Sequence, residues 1–171
     1  MNSSHKQIIK LLQSKNKLGV EDINKEFVEA CAKGNINLVE FFLTSPEIDY
    51  HPHISINNDH ALVWACRNNH NDTVKYLLSS PKIKDHANIH ARDDFPFKQA
   101  FNYKSEDLLN FYIFELNIKK TQFISDFLVE RKDSHQEWYK KAESMFQARD
   151  LNSELEKNIS SDKMNQKNNK I

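Results

Sequence analysis

The stretch ALVWACRNNHNDTVKYLLSSP, residues 61–81, recurs on both sides of itself at a spacing of about 35 residues. At this shift, Ala65 and Cys66 align with Ala30 and Cys31 and with Ala100 and Phe101. The same register aligns Leu38-Val39, Thr73-Val74 and Leu108-Leu109; Phe42-Leu43, Leu77-Leu78 and Tyr112-Ile113; and Ser45-Pro46 with Ser80-Pro81. Because all these matches share one register, they indicate three copies of one supersecondary unit.

Each copy predicts a pair of helices. Its apolar residues fall at i, i+1, i+4 and i+5, twice, with a short polar break between the two sets, which is the spacing of two amphipathic helices joined by a tight turn. Gly34 and Asn69 lie in the breaks and favour the left-handed conformation that ends a helix, whereas residues 103–105 form a poorer stop. We therefore predict helices near residues 24–33 and 37–44, 60–69 and 71–79, and 96–103 and 105–117.

The second copy resembles the ankyrin repeat family. Its AL at 61–62, AC at 65–66, NH at 69–70 and VKYLL at 74–78 fall where that family has T-P-L-H-x-A-A, G-H and V-x-x-L-L. His60 and Ala61 replace the family's Thr-Pro, Val63 replaces its histidine, and the period exceeds the usual 33 residues by about two. The resemblance covers about residues 23–120 and implies an all-α, ankyrin-type repeat solenoid of stacked helix-turn-helix units.

The flanking segments predict helical caps at both ends of the array. An apolar helix face within residues 1–22 and another in residues 121–157 would cover the terminal repeats. The predicted organisation is an N-terminal capping helix (1–22), three repeats (23–56, 57–91 and 92–120), a C-terminal helical cap (121–157) and a disordered tail (158–171). A stripe of Trp138, Ala142, Met145, Phe146 and Leu151 either packs on the cap or forms a surface for a partner or for self-association.

Composition excludes several classes of enzyme. With only Gly19 and Gly34, the chain of 171 residues has no P-loop, no dinucleotide fingerprint and no nucleophile elbow. No run of about 18 apolar residues suggests a membrane span, and residues 1–15 lack the apolar core of a signal peptide. We expect a cytoplasmic protein, or one acting in a host cytoplasm if the Asn-, Lys- and Ile-rich composition marks an effector of an intracellular bacterium or large virus.

The charge distribution argues against nucleic acid as a partner. Residues 21–118 carry 9 basic and 15 acidic side chains, although the net charge of the whole chain is zero. An acidic repeat region is a poor electrostatic match for phosphates. The sequence therefore favours a protein partner.

The cysteines and histidines do not predict a chemical site. Cys31 and Cys66 occupy equivalent buried positions, and stacked helices lie about 8–10 Å apart, too far for a disulfide. His51, His53, His60, His86 and His90 form the nearest approach to a metal cluster, but they lie in or near loops and no Cys-x-x-Cys or His-Glu-x-x-His motif accompanies them. His70 occupies the turn-histidine position of the resembled family and predicts a structural role. We expect no metal, no cofactor and no catalytic residue.

A stack of helix pairs offers an extended concave surface rather than a deep pocket. Trp64 either wedges between repeats or stands partly exposed on that surface. The predicted partner-binding residues are Lys33, Asn57, Asp59, Trp64, Arg67, Asn68, Arg92, Asp94, Lys98, Asn102 and Tyr103. The predicted function is a non-enzymatic, monomeric protein–protein interaction module. The alternatives are an effector or regulatory protein whose repeats dock a substrate or host protein, and an assembly subunit that associates through residues 134–157.

Overall fold

Eight α-helices and one π-helical turn account for the regular structure of the computed structural model, which describes the backbone of residues 19–168 and the side chains of residues 19–160. That part of the chain contains no strand, so the prediction of an all-α fold is confirmed. The capping helix predicted within residues 1–22 falls almost entirely outside the described residues. The chain divides into two compact units, the first ending at Tyr103 and the second beginning at Lys104.

The first unit is built from helix pairs, as the repeat predicts. Its helices are α1 (Val20–Ala32), α2 (Ile36–Thr44), α3 (Ile56–Arg67), α4 (Asn71–Ser79) and α5 (Ala91–Asn102). The first helices of successive repeats pack on each other, α1 on α3 and α3 on α5, while the second helices α2 and α4 form another layer. Each of the first two repeats of the sequence therefore adds one helix to each of the two layers.

Left-handed residues end the first helix of each pair. Gly34 has φ 66° and Asn69 has φ 59°, which confirms the prediction from the polar breaks. Lys104, at the third equivalent position, has φ 55°, although a non-glycine residue there costs about 1–2 kcal/mol. The left-handed residue that ends the first helix of the third repeat is therefore Lys104, within the break that had the weakest helix-stop signal, because the register of the repeat requires a turn there.

A second left-handed run precedes the right-handed part of α3 and of α5. Asn57, Asn58 and Asp59 have φ between 52° and 58°, and residues 92–94 have φ between 50° and 60°. Asn and Asp tolerate this conformation better than other non-glycine residues. Right-handed backbone resumes at His60 and Phe95, so Pro96 lies in a first turn, where its missing amide proton is not needed.

The core of the first unit repeats along the chain like the sequence. Phe27, Leu62 and Phe97 occupy equivalent positions, and their side chains are at most 1% exposed. Burying each such side chain contributes about 1.5–3 kcal/mol. Cys31 and Cys66 are buried free thiols, as predicted, and burial raises the pKa of the Cys31 thiol.

The second unit contains α6 (Glu106–Asn110), α7 (Gln122–Arg131) and α8 (Gln136–Asn168). One helix was predicted over residues 105–117, but from Phe111 to Glu115 the backbone is a π-helical turn. The amide of Leu116 donates to the carbonyl of Phe111 at 2.9 Å, and that of Ile118 to the carbonyl of Tyr112 at 3.1 Å. The wider turn accompanies burial of three consecutive side chains, Phe111, Tyr112 and Ile113.

Helix α8 packs on α7 and on the π-helical turn. Ala142, Met145 and Phe146 are buried there, so this part of the predicted stripe packs inward within the unit. The Lys120 ammonium pairs with the Glu143 carboxylate at 2.6 Å, and the Arg149 guanidinium donates to the carbonyl of Ile118. Helix α8 runs to Asn168, beyond the helix end predicted near Lys157, and no glycine or proline interrupts it.

Candidate protein-interaction face

One side of each first helix in the first unit remains accessible. Because residues at i, i+4 and i+7 share a helix face, three residues of each helix form a row, and we name the three rows together the first-helix face. It comprises Lys25, Glu29 and Ala32 of α1; His60, Trp64 and Arg67 of α3; and Phe95, Gln99 and Asn102 of α5. All nine are half-buried or exposed, whereas the opposite sides of these helices form the core.

A compact cluster of His60, Trp64, Arg67 and Phe95 occupies the centre of the first-helix face, and we name it the Trp64–Arg67 cluster. The Arg67 guanidinium carbon lies 5.5 Å from the centroid of the Trp64 ring and 5.8 Å from that of Phe95. Both distances fall in the cation–π range. The Trp64 indole Nε1 donates a hydrogen bond of 2.7 Å to His60 Nε2. The cluster therefore joins α3 to α5 and fixes the orientation of the indole and the guanidinium.

The surroundings of His60 in this cluster favour the neutral form of its imidazole ring. Its Nε2 accepts the indole hydrogen bond and so carries no proton. Burial lowers the pKa of His60, and the positive charges of Arg92 and Arg67 lower it further. Protonation would abolish the acceptor and place a third cation beside two arginines.

Arg92 and Asn57 connect successive loops at the edge of the face. A guanidinium nitrogen of Arg92 donates to the main-chain carbonyl of Asn57 at 3.2 Å, and both residues are exposed. These two predicted residues are therefore brought together on an accessible surface.

Asp59 and Asp94 were wrongly predicted to contact a partner. Their side chains are only 3% and 2% exposed. The left-handed loops turn both carboxylates inward: Asp59 Oδ1 accepts from the amide of Asn88 at 3.0 Å, and the Asp94 carboxylate bonds His90 Nδ1. Both residues hold loops rather than present charge.

Asn68 and Tyr103 tie neighbouring repeats together. These repeat-equivalent residues donate to equivalent carbonyls, Asn68 Nδ2 to Ala32 and the Tyr103 hydroxyl to Arg67, each at 2.6 Å. His70 Nε2 also bonds the carbonyl of Ala32, at 3.0 Å, which agrees with its predicted structural role. Both Asn68 and Tyr103 stay exposed, but part of their hydrogen-bonding capacity is already used.

The remaining predicted residues are Lys33, Lys98 and Asn102. Lys33 is paired with Glu29 at 2.6 Å, and this hydrogen-bonded ion pair raises the pKa of Lys33 and lowers that of Glu29. Lys98 is half-buried and Asn102 is exposed on α5.

A groove of about 460 Å³ adjoins the Trp64–Arg67 cluster at the α1 end of the face. It is lined by Glu21, Asn24, Lys25, Val28, Ile56, Asn57 and His60. Of these lining residues, only Asn57 was predicted to bind a partner. His60 and Phe95 of the cluster were not predicted. The repeat register could have identified them. Lys25, His60 and Phe95 are repeat-equivalent, and each lies four positions before the second residue of its row, on the same helix face.

The histidines considered as metal ligands make protein contacts instead. His51 Nδ1 bonds the carbonyl of Phe42 at 2.9 Å, and His86 Nε2 bonds that of Ser80 at 3.0 Å. Over the described residues, no three His, Cys, Asp or Glu side chains converge as metal ligands would. Among the helices of residues 19–168, none combines the length and hydropathy of a membrane span.

Comparison with known families identifies the repeats. Residues 1–93 and residues 27–121 match the family described as ankyrin repeats in three copies. Neither the curated proteins nor the solved structures compared with the chain give a match. The matched segments span more than half of the chain and include all the helix pairs of the first unit. By its repeat period, its stacked helix pairs and this match, the chain belongs to the ankyrin repeat family.

Proposed function

We propose that the chain is a non-enzymatic module that binds a protein partner through the first-helix face. Ankyrin repeats are in general protein–protein interaction modules. The observation that carries the proposal is the Trp64–Arg67 cluster, in which one guanidinium lies between two aromatic rings on an accessible surface. Tryptophan and arginine are among the residues most enriched at interface hot spots.

The cluster is preorganised for binding. Trp64 and Phe95 are half-buried, so a partner that covers the rest of their rings gains apolar contact. The bond from Trp64 to His60 and the contacts of Arg67 with two rings already restrict these side chains. Less conformational entropy is then lost when a partner docks.

Affinity capture from a cell lysate tests the proposal. The intact chain is compared with the double variant Arg67→Glu, Lys98→Glu and with a control that reverses two exposed lysines of the loop after α4, Lys82→Glu, Lys84→Glu. We expect one set of proteins to be captured by the intact chain and the control and lost by the first variant, with matching circular dichroism spectra. Equal capture by all three proteins would refute the assignment of the surface.

A second candidate function, self-association, is favoured by a different part of the chain. Beyond its packed segment, α8 exposes Leu151, Leu155 and Ile159, at 57%, 50% and 54%. Their i, i+4, i+8 spacing puts them on one stripe. In an antiparallel pair with a second copy, Leu155 would meet Leu155 and Leu151 would meet Ile159.

Light scattering at increasing concentration tests self-association. We expect the parent mass to rise towards that of a dimer and the variant Leu151→Glu, Leu155→Glu to remain a monomer. The control Asn152→Glu, Ser160→Glu adds the same charge at other exposed positions of the helix and should behave like the parent. A parent that stays monomeric throughout removes this candidate.

A further inference from the structure

We infer that the partner segment recognised by the first-helix face is an acidic peptide, whose Asp or Glu side chains pair with Arg67 and Arg92 beside the ring of Trp64. The inference rests on the proposed function and specifies the chemistry of its partner.

The Arg67 guanidinium is oriented but has no acidic counterpart among residues 19–160. Trp64 and Phe95 contact its π surface, and over residues 19–160 no side chain or carbonyl accepts a hydrogen bond from it and no carboxylate lies within 4.0 Å of it. A guanidinium has five donors in a fixed fork that matches a carboxylate in bidentate geometry. Holding the fork in place before binding favours a planar anionic group.

Arg92 adds a second cation beside the groove that adjoins the cluster. One of its nitrogens donates a hydrogen bond to the carbonyl of Asn57 at 3.2 Å. Among the described residues, no carboxylate forms an ion pair with Arg92. Asn57, the partner of Arg92, lines the same groove as His60 of the Trp64–Arg67 cluster, so both guanidinium groups border one area of the surface. A peptide with two acidic side chains can engage both.

Folding buries two carboxylates of this area and pairs a third with a lysine. Residues 21–103 carry twelve acidic and eight basic side chains, yet Asp59 and Asp94 are buried in the loops and Glu29 is paired with Lys33. Glu21 lines the groove but is not part of the Trp64–Arg67 cluster, and Asp93, next to Arg92 in the sequence, is exposed. The α3 and α5 rows of the face are thus left with arginine, aromatic and amide groups and with neutral His60.

An acidic peptide fits this surface better than a nucleic acid does. Nucleic-acid binding needs a row of cations along the phosphate backbone. This surface offers two arginines, and the repeat region around them carries more acidic than basic side chains. The half-buried rings of Trp64 and Phe95 can take an apolar peptide side chain between the two acidic ones.

Selection from a library of short random peptides displayed on phage tests the inference on the full chain. We expect the enriched peptides to contain Asp and Glu well above their frequency in the unselected library. An enriched set that is not acidic, or a selection that enriches no set, would overturn the inference.

Fluorescence anisotropy with one enriched, labelled peptide then tests the contact. Arg67→Gln should weaken binding about ten-fold or more, as expected for one partner of a charge pair, and replacing the peptide's Asp and Glu by Asn and Gln should do the same. Arg67→Lys should lie between, because it keeps the charge and loses the fork. Lys84→Gln, with the same change of charge at an exposed loop position, should bind within about two-fold of the parent, since a distant surface charge contributes little.

A blocking variant separates this inference from the proposed function. Asn102→Trp places a large side chain on the exposed end of the α5 row and should weaken any ligand of the face, whatever its charge. Peptides that are lost on Asn102→Trp but retained on Arg67→Gln would keep the proposed function and overturn the acidic-peptide inference; peptides retained by both would overturn both. Displacement of the peptide by a short single-stranded DNA at lower concentration than by the unlabelled peptide would overturn the inference in favour of nucleic acid.

Discussion

Replacing Gly34 by alanine tests why the turn between the paired helices α1 and α2 contains a glycine. Two reasons are expected: the left-handed backbone conformation of Gly34 and the lack of room for a Cβ beside the ring of His70. Gly34 has φ +66°, and a Cβ added there would overlap the His70 ring, coming within 2.6 Å of Cγ and 2.9 Å of Cε1. His70 belongs to the next repeat, and its Nε2 donates a hydrogen bond to the carbonyl of Ala32. The substitution therefore disturbs both the turn and a link between repeats.

The cost follows from three contributions. The left-handed conformation costs a residue with a Cβ about 1–2 kcal/mol, and displacing His70 removes a hydrogen bond worth about 1 kcal/mol. Alanine offsets about 0.4–1 kcal/mol of this through the smaller conformational entropy of its unfolded chain. We expect Gly34→Ala to lower the free energy of unfolding by about 2 kcal/mol.

Urea unfolding followed by circular dichroism measures this loss. Gly19→Ala is the matched control, because Gly19 has φ −64° and its added Cβ would meet nothing closer than Asp22 Oδ2 at 3.8 Å; it should stay within about 0.5 kcal/mol of the parent. Adding His70→Ala to Gly34→Ala should show non-additivity, since the steric conflict disappears with the ring. Equal midpoints for Gly34→Ala and Gly19→Ala would refute the reasoning.

Three further predictions concern the loops, the cluster and the core. Asp59→Ala should lower the free energy of unfolding by about 1–3 kcal/mol because it removes the hydrogen bond that the amide of Asn88 donates to the Asp59 carboxylate. Asp59→Asn should restore much of this loss; urea midpoints decide, and equal stability of the two variants would contradict a structural role. The lowered pKa of His60 means that the folded chain binds its proton less readily than the unfolded chain, so its contribution to stability is complete above about pH 6.5 and is lost as the pH falls through the lower folded-state pKa. His60→Gln should therefore show a smaller loss of stability on acidification than the parent, and parallel curves would exclude the effect. Cys31 and Cys66, at 0% and 2% exposure, should react with a thiol reagent only at the rate of unfolding, and rapid labelling in the absence of urea would contradict their burial.

Local sequence rules predicted the helix pairs because those pairs depend on neighbouring residues. The spacing of apolar residues set which helix faces are buried, and Gly34 and Asn69 marked the left-handed stops. Lys104 and the π-helical turn at residues 111–115 escaped prediction, because there the repeat register and the packing of Phe111, Tyr112 and Ile113 outweigh local preference.

The candidate surface was only partly predictable. Trp64, Arg67 and Arg92 were identified from repeat-equivalent positions, and the structure leaves them half-buried or exposed. Asp59 and Asp94 were wrongly included because their burial depends on three consecutive left-handed residues, a conformation with no strong signal in NND or RDD. Phe95 was missed because its role depends on Arg67, one repeat away.

The sequence by itself determined the repeat, the all-α class and the order of the helices, because these follow from periodicity and from residues near each other in the chain. Tertiary structure alone decided which charges reach the surface. An acidic repeat region presents one arginine, Arg67, between two aromatic rings on its first-helix face, because the stacking of repeats brings Arg67 against Phe95 and the loops bury Asp59 and Asp94. Composition sums charge over the chain, whereas a partner meets only the charges that folding leaves accessible.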